Sequence, residues 1–282
     1  MSLGPPPLDY EYAIKRIKQF LKDFMVKTGV KGYVMGLSGG VDSSTVLHLA
    51  VEAVGTNKVH VFIMPDPAVT PMRDIEDSVG LVQKLKVDYT IISINNILDA
   101  YRATLPFFSE EHRIATGNLR ARIRMTILYY YANMNDLAVL GTGDKSEILL
   151  GYYTKYGDGG VDLLPIGDVY KTQVRVMARK LGVPEKIVTK PSSPRLWPGH
   201  MAEEELGVKY EEVDAVLYRY VDLGKTINEI IEETGFPRSK VLHIIRMVHL
   251  NEHKRLYPII PRISKHAITH DWKMPWYLRL DM

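Results

Sequence analysis

The sequence predicts an α/β protein built on a doubly wound parallel sheet. Four short apolar segments alternate with helical patterns, and each segment is apolar on both of its faces. Strands of this kind occur in parallel sheets that helices cover on both sides. From Tyr210 to Leu250 the pattern is helical only, with breaks at Gly224 and at residues 235–237. These observations predict a Rossmann-like sheet with helices on both faces and a helical C-terminal portion.

The elements follow in order from periodicity and turn residues. Apolar residues recur at steps of three and four from Asp9 to Lys27, which predicts an amphipathic first helix that ends at Gly29. Runs rich in β-branched and other apolar residues predict strands at 33–37, 59–64, 89–94 and 137–140. Helical patterns lie between them at 45–54, 74–85 and 116–133.

The length of 282 residues fits one large domain or two small ones. No internal repeat and no change of composition marks a boundary, so we predict a single domain over residues 9–256. Residues 1–8 contain three consecutive prolines and are predicted to be a flexible lead-in, and residues 257–282 a C-terminal tail. Two segments with turn chemistry, 156–160 and 190–201, are predicted to be mobile loops.

Composition excludes several classes of function. The net charge of +3 gives no argument for binding nucleic acid or an anionic membrane. The sequence contains no cysteine, which excludes disulfides, thiolate metal sites and cysteine nucleophiles together. No signal-peptide pattern and no run of 18 apolar residues is present, so we expect a cytoplasmic protein.

A glycine-rich turn follows the first predicted strand, which is the edge where parallel sheets bind ligands. Its adjacent glycines let the backbone approach a ligand closely, and the start of the next helix attracts anions. The turn is not a Walker A loop, because no lysine follows the glycines. A tight turn with capping hydroxyls is the alternative interpretation. The residues of this turn are Gly36, Leu37, Ser38, Gly39, Gly40, Val41, Asp42 and Ser43.

Asp42 would repel a phosphate in this turn unless a divalent cation joined the two. Mg²⁺ commonly takes one or two carboxylates together with phosphate oxygens, so a second carboxylate is expected nearby. Glu147 is the best candidate, because it also lies between a predicted strand and a helix. The alternative for Glu147 is a favourable acid in a first helical turn.

The turn of residues 38–43, SGGVDS, resembles the pyrophosphate loop of the N-type ATP pyrophosphatases, which cleave ATP between its α- and β-phosphates. Segments 117–125, 141–168 and 253–255 together resemble ammonia-dependent NAD synthetase, and the likeness covers roughly residues 30 to 256. The resemblance implies that the nicotinate carboxylate of deamido-NAD attacks ATP and that ammonia then displaces AMP from the acyl adenylate. It also implies Mg²⁺ on Asp42 and Glu147.

The resemblance implies two sets of binding residues and a homodimer whose deamido-NAD site lies at the interface. Lys171 is implied as a phosphate clamp, with a solvated lysine at a helix start as the alternative. The loops 156–160 and 190–201 are interpreted as lids that keep water from the adenylate, or else as plain surface turns. The implied ATP contacts are residues 36–43, Thr142, Lys171 and Ser193. The implied deamido-NAD contacts are Arg122, Lys155, Asp162, His253 and Lys254.

Helical geometry separates three arginines of the fourth predicted helix. Arg120 and Arg124 share a face, whereas Arg122 is turned by about 200° from Arg120. At least one of them is therefore expected to be structural.

Two other functions are consistent with parts of the pattern. A tRNA-modifying ATP pyrophosphatase would share the glycine turn, but the sequence lacks a basic, aromatic-rich appendage. A non-catalytic nucleotide sensor would bind ATP without needing Lys155 and Asp162. Without a cysteine or an added amidohydrolase domain, free ammonia or a separate glutaminase is the expected nitrogen source.

Overall fold

The computed structural model describes residues 3–256 and 258–268. Its centre is a four-stranded sheet in the order β3-β2-β1-β4, and all three strand pairs are parallel. The strands are β1 (Gly32–Gly36), β2 (Val59–Ile63), β3 (Asp88–Ile91) and β4 (Leu137–Leu140). Because β1 lies between β2 and β4, the strand order reverses at β1, which is where open sheets of this kind form a binding crevice.

Thirteen α-helices connect and flank the strands within the described residues. They are α1 (Tyr10–Thr28), α2 (Val41–Val54), α3 (Met72–Leu85), α4 (Asn95–Thr104), α5 (Arg113–Asn135), α6 (Lys145–Leu150), α7 (Lys171–Lys180), α8 (Glu185–Val188), α9 (Ala202–Leu206), α10 (Tyr210–Leu217), α11 (Ile227–Thr234), α12 (Arg238–Leu250) and α13 (Glu252–Arg255). Among these helices, none combines the length and the apolar character needed to cross a bilayer.

Alternate residues of each strand face opposite layers. Tyr33 and Met35 of β1 pack with α1, α2 and α7 in one core, whereas Val34 packs with α5 residues in the other. All three side chains are fully buried. The sheet is therefore covered by helices on both faces, which confirms the predicted fold class.

The helical C-terminal portion has a core of its own. Residues of α10, α11 and α12 form this core around Tyr210 and Val213, together with α9. Leu150, at the end of α6, and Tyr170, just before α7, also belong to it. Since α6 and α7 begin at the carboxyl edge of the sheet, this second core supports that edge from one side.

The predicted elements agree with the structure except at two places. The third strand ends at Ile91, and Ile94 already precedes α4, a helix that the sequence pattern did not predict. In the lead-in, the carbonyl of Pro6 accepts a hydrogen bond from Gln173 and that of Leu3 accepts one from Arg219. The domain limits stay a prediction, and residues 257 and 269–282 of the tail lie outside the described residues.

Candidate active site

A cavity of about 450 Å³ opens above the carboxyl ends of β1 and β4. Its floor includes the glycine turn and residues 140–142, and its walls come from α5 and from residues 190–197. Both predicted lid loops contribute to the lining. The cavity is the size of many small-molecule sites and lies at the reversal of strand order.

The glycine turn is shaped by a close approach between two backbone segments. Gly39 has a φ of +74°, and a Cβ at this position would lie 2.4 Å from the carbonyl oxygen of Asp74. Only glycine fits such a position without strain. The hydroxyls of Ser38 and Ser43 lie 3.1 Å apart within the turn, and no side chain caps the start of α2 at Gly40. The turn thus has internal hydroxyl bonds, as the alternative interpretation expected, and still leaves the helix start uncapped.

Three carboxylates and one ammonium meet beside the cavity. The Nζ atom of Lys171 lies 2.7 Å from Asp42 Oδ2, 2.8 Å from Asp144 Oδ2 and 2.7 Å from Glu147 Oε1. Lys171 and Asp144 are fully buried, whereas the other two side chains are each 20% exposed. We call these four residues the charge centre.

The charge centre brings together residues at the starts of three helices, α2, α6 and α7. Asp42 lies in the first turn of α2, and Glu147 lies in the first turn of α6. Asp144 caps α6: its Oδ1 accepts the backbone N–H of Glu147 at 2.9 Å. Glu147 is therefore a first-turn helical acid that also belongs to the centre, and its role as a metal ligand stays a prediction.

Burial and mutual repulsion alter the acidity of the centre. Burial raises the pKa of Asp144 to about 6, although the Lys171 ammonium opposes the shift. Burial, and then the charge of Asp144, raise the pKa of Glu147 well above its usual range. Burial by itself would lower the pKa of Lys171, but the three carboxylates raise it well above the ordinary value. The Lys171 ammonium is thus kept charged, and this one positive charge is shared among three carboxyl groups.

The donor set has the character of a divalent cation site. Asp42, Asp144 and Glu147 each offer an oxygen, and these oxygens lie within 4.8 Å of one another. The Oδ1 atom of Asp42 is buried and has no hydrogen-bond partner among the described residues. Carboxylate oxygens are the ligands that Mg²⁺ takes, so the residues present fit the predicted cation.

The predicted ATP residues divide into those that line the cavity and those that do not. Gly39 lies behind the wall of the cavity, and Lys171 lies beneath it with its ammonium engaged by the carboxylates. The interpretation of Lys171 as a solvated surface residue is wrong, since its side chain is fully buried. Those that line the cavity are Gly36, Leu37, Ser38, Gly40, Val41, Asp42, Ser43, Thr142 and Ser193.

Four of the predicted deamido-NAD residues form a second group at the surface beside the cavity. Arg122 donates to the carbonyl of Lys155 at 3.3 Å, and Lys155 Nζ donates to the carbonyl of His253 at 2.7 Å. Lys254 Nζ contacts the carbonyls of residues 151 and 153, and of the four only Lys254 lines the cavity. We call Arg122, Lys155, His253 and Lys254 the basic rim.

Asp162 lies apart from the basic rim. Its Oδ2 accepts the backbone N–H of Val139 at 2.8 Å, and its Oδ1 accepts the hydroxyl of Tyr129 at 3.1 Å. These bonds join the segment after residue 160 to β4 and α5. In this structure its two oxygens are taken up by the chain itself.

Arg122 faces away from Arg120 and Arg124 on α5, as helical geometry predicted. Arg120 is buried, pairs with Asp66 at 2.6 Å and donates to the carbonyl of Leu196, so its contacts are structural. Arg122 is exposed on another face. Arg124 was not among the predicted site residues, yet it lines the cavity and donates to the carbonyl of Met64 at 2.9 Å. Burial lowers its pKa to about 10.

The loop of residues 190–201 is tied down at several points. Lys190 Nζ donates to the carbonyl of Gly39 and to two carboxylates of α3, Asp74 and Asp77. At the other end His200 lies 2.6 Å from Glu205 and stacks on Trp197. The loop is therefore fastened across the cavity by charged and aromatic contacts.

Asp144 is the site residue that the sequence analysis missed most clearly. Its signal was present, because an aspartate three residues before Glu147 at a strand-to-helix junction is a capping-box pattern. A cap was a sufficient explanation for such an aspartate, so sequence alone gave no reason to add it to the centre.

Comparison with known proteins identifies the family. The model of the family described as NAD synthase matches residues 13–258. An NH(3)-dependent NAD(+) synthetase from Staphylothermus marinus is 54% identical over 256 residues, which are 91% of this chain and 93% of that protein. A synthetase of the same name from Hyperthermus butylicus is 52% identical over 90% of this chain and 91% of that protein.

Solved structures agree with this result. The NMN synthetase from Francisella tularensis superposes with a TM-score of 0.80 at 30% identity, over 91% of this chain and all of that one. The NH3-dependent NAD synthetase from Campylobacter jejuni, solved with a nitrate ion, gives a TM-score of 0.75 at 28% identity, over 90% of this chain and all of that one. With these likenesses spanning most of its length, the chain belongs to the NAD synthase family.

Proposed function

We propose that this ligase converts deamido-NAD to NAD with ATP and ammonia in the cavity above β1 and β4. The observation that carries the proposal is the charge centre beside the glycine turn, in a chain that is 54% identical to an NH(3)-dependent NAD(+) synthetase. An oxygen of the nicotinate carboxylate attacks the α-phosphorus of ATP, and the bond to the leaving pyrophosphate breaks. Ammonia then forms the amide bond, AMP leaves, and one proton is released.

The glycine turn receives the phosphates of ATP. The N-cap residue Gly40 provides no side-chain cap, so the first N–H groups within α2 remain available for phosphate oxygens. Ser38 and Ser43 line the same part of the cavity and add hydroxyl donors. Thr142 and Ser193 line other parts of its wall and are proposed as further contacts.

Asp42 and Glu147 are proposed to hold Mg²⁺, and the structure adds Asp144 as a third oxygen donor of the same group. When bound, the cation offsets the negative charge of the phosphates and of the departing pyrophosphate. Lys171 keeps the three carboxylates close together by offsetting part of their repulsion. Lys171 is therefore proposed to affect phosphoryl transfer indirectly, from beneath the cavity floor, through the positions of the three carboxylates.

The second step requires a site from which water is excluded. Loop 190–201 crosses the cavity and is fastened at Lys190 and His200. Residues 157, 158 and 160 line the opposite part of the wall. Both loops are proposed to shield the acyl adenylate from hydrolysis until ammonia arrives.

The basic rim and Asp162 are proposed to bind deamido-NAD across a homodimer interface. Arg122, Lys155 and His253 do not line the cavity of their own chain, and they are proposed to face a substrate shared with a second copy. Further along α5, Tyr130 and Met134 lie one helical turn apart and are each more than 65% exposed. Such exposed apolar side chains favour an interface. Sedimentation equilibrium tests this, with twice the 32.1 kDa chain mass expected.

The reaction is tested with purified protein, ATP, Mg²⁺, deamido-NAD and ammonium chloride, followed by chromatography for NAD, AMP and pyrophosphate. We expect equal amounts of the three products with ammonium and none with glutamine. A parallel reaction with the deamidated mononucleotide is needed because the solved NMN synthetase shares the fold. A clear preference for the mononucleotide would overturn the assignment of substrate, and absence of AMP in every reaction would overturn the assignment of activity.

A further inference from the structure

Helix α10 supplies a buried carboxylate directly behind the charge centre. Asp214 is fully buried and accepts three hydrogen bonds. Its Oδ1 accepts the hydroxyl of Ser146 at 2.5 Å, and its Oδ2 accepts both the backbone N–H and the hydroxyl of Thr172, at 2.8 and 2.7 Å. Ser146 belongs to α6 and Thr172 to α7, so one side chain fastens the first turns of two helices.

These bonds continue to the residues of the charge centre. The Oγ atom of Ser146, while donating to Asp214, accepts the backbone N–H of Lys171 at 2.9 Å. Ser146 stands between Asp144 and Glu147 in the chain, and Thr172 follows Lys171 directly. A shift of either helix would therefore change the distances between the ammonium and the two carboxylates.

The same face of α10 also touches the ammonium. Tyr210 lies one helical turn before Asp214, and its ring centre is 5.1 Å from Lys171 Nζ. Its hydroxyl is buried and has no hydrogen-bond partner among the described residues. Tyr210 thus packs against the ammonium of Lys171, whereas Asp214 holds the backbone at Lys171 and Thr172 in position.

We infer that Asp214 is a positioning residue of the synthetase: through Ser146 and Thr172 it fixes Lys171 relative to Asp144 and Glu147. The inference rests on the proposed function, and it gives a catalytic positioning role to α10, which contributes no residue to the cavity lining. Distances of 2.7 to 2.8 Å between the ammonium and three acids require helices that cannot slide against each other. Preorganised charges of this kind act strongly on a transition state only when they are held in place.

The direction of the hydrogen bonds makes the inference testable with a substitution that keeps side-chain volume. Asp214 accepts at every one of its three bonds. In Asp214→Asn one oxygen becomes an NH₂ group, which would face the hydroxyl of Ser146 or the donors of Thr172. At least one buried donor then loses its acceptor, and the two helix starts are no longer joined in the same way.

The test compares wild type with Asp214→Asn, Ser146→Ala and the double variant. We expect Asp214→Asn to lower kcat for AMP formation by roughly 10- to 100-fold, the range for residues that orient the groups of a site. The KM for ATP should stay within about threefold, because the cavity lining is unchanged. The double variant should lose no more than the more damaged single variant, because the two residues act as one unit.

Glu211→Gln is the matched control. Glu211 also lies on α10 and also contacts α7, through Arg175 at 3.1 Å, but its side chain is 59% exposed and this ion pair includes no residue of the charge centre. The control should keep kcat and a cooperative thermal transition. A merely structural role for Asp214 would lower the thermal midpoint while leaving kcat per folded molecule unchanged.

The outcomes separate the inference from the proposed function. If wild type forms no NAD, the proposed function fails. If wild type is active and folded Asp214→Asn keeps its kcat, the inference is overturned. Should Asp214→Asn fail to fold, Ser146→Ala decides: a reduced kcat supports the positioning role, and an unchanged kcat overturns it.

Discussion

The charge centre and the basic rim are built in opposite ways. In the centre every charged group contacts an opposite charge, and Lys171 and Asp144 are fully buried. In the basic rim the ammonium groups of Lys155 and Lys254 donate their hydrogen bonds to backbone carbonyls, and Arg122 is exposed. The charge centre has all its opposite charges within a single chain. The cations of the basic rim contact neutral carbonyls, and an anion would bind them more strongly.

The difference shows what each group contributes. Buried opposite charges cannot be removed singly without leaving a charge unpaired, so the centre should affect folding and chemistry together. Cations that are only partly buried and that hydrogen-bond to carbonyls leave no buried opposite charge behind when they are removed, so the basic rim should affect mainly substrate binding. Stability and kinetics measured on the same variants therefore separate the two groups.

The largest effect is expected from Lys171→Met. The substitution leaves three carboxylates whose oxygens lie within 4.8 Å of one another without their ammonium. Breaking a buried ion pair in this way costs about 3 to 5 kcal/mol. We expect that loss in the free energy of unfolding by urea, and a fall in kcat by a factor on the order of 10³ or more.

Lys18→Met is the comparison variant. Lys18 pairs with Glu52 at 2.8 Å on the surface, and its loss should cost less than about 1 kcal/mol. Added Mg²⁺ should restore part of the stability of Lys171→Met, because a cation bound only by the folded state stabilises it. Equal stability losses in the two variants would contradict the view that the centre is a buried, interdependent unit.

Sequence reasoning found the centre only in part, for reasons that the structure makes clear. Asp42 and Glu147 were predictable because each follows a strand at the binding edge of the sheet. The burial of Lys171 was not, since a lysine at a helix start is ordinarily solvated. Asp214 was beyond reach, because its bond to Ser146 joins residues 68 positions apart.

The fold was more accessible than the site. Strand β4 was predicted with its observed limits, because four apolar residues there are followed directly by turn glycines. Periodicity also placed Arg122 on a different face of α5 from Arg120 and Arg124. It does not reveal which face borders a cavity, and Arg124 was therefore missed.

A smaller effect, confined to binding, is expected from Lys155→Ala. The KM for deamido-NAD should rise roughly 10-fold or more, as for the loss of one charge-assisted hydrogen bond. The kcat and the KM for ATP should stay within about twofold, which is the pattern of lost uniform binding. Lys22→Ala, an exposed lysine of α1, is the control for removal of a surface charge. A large fall in kcat with unchanged KM would show that Lys155 belongs with the centre instead.

The smallest expected effect is on the pH dependence of stability, and it concerns loop 190–201. This loop combines features of the charge centre and of the basic rim. His200 is buried, stacks on Trp197, and lies 2.6 Å from Glu205 and 3.3 Å from the hydroxyl of Tyr152. Burial lowers its pKa, although Glu205 opposes the shift, and Arg195 lowers the pKa slightly further. As pH falls below about 6.5, the unfolded chain therefore takes up a proton at this residue before the folded protein does, and stability declines.

His200→Gln should remove that part of the pH dependence, so the free energy of unfolding should fall less between pH 7.5 and 5.5 than in wild type. Glu205→Gln should act in the opposite sense, because the imidazolium of His200 loses the carboxylate that favours it. Other buried histidines, such as His48, are present in all three proteins and cancel in the comparison. Parallel pH profiles for the three proteins would mean that the loop is fastened without any contribution from the charge of His200. Divergent profiles would mean that the charge of His200 contributes to holding the loop, as ion pairs hold the centre and unlike the carbonyl contacts of the rim.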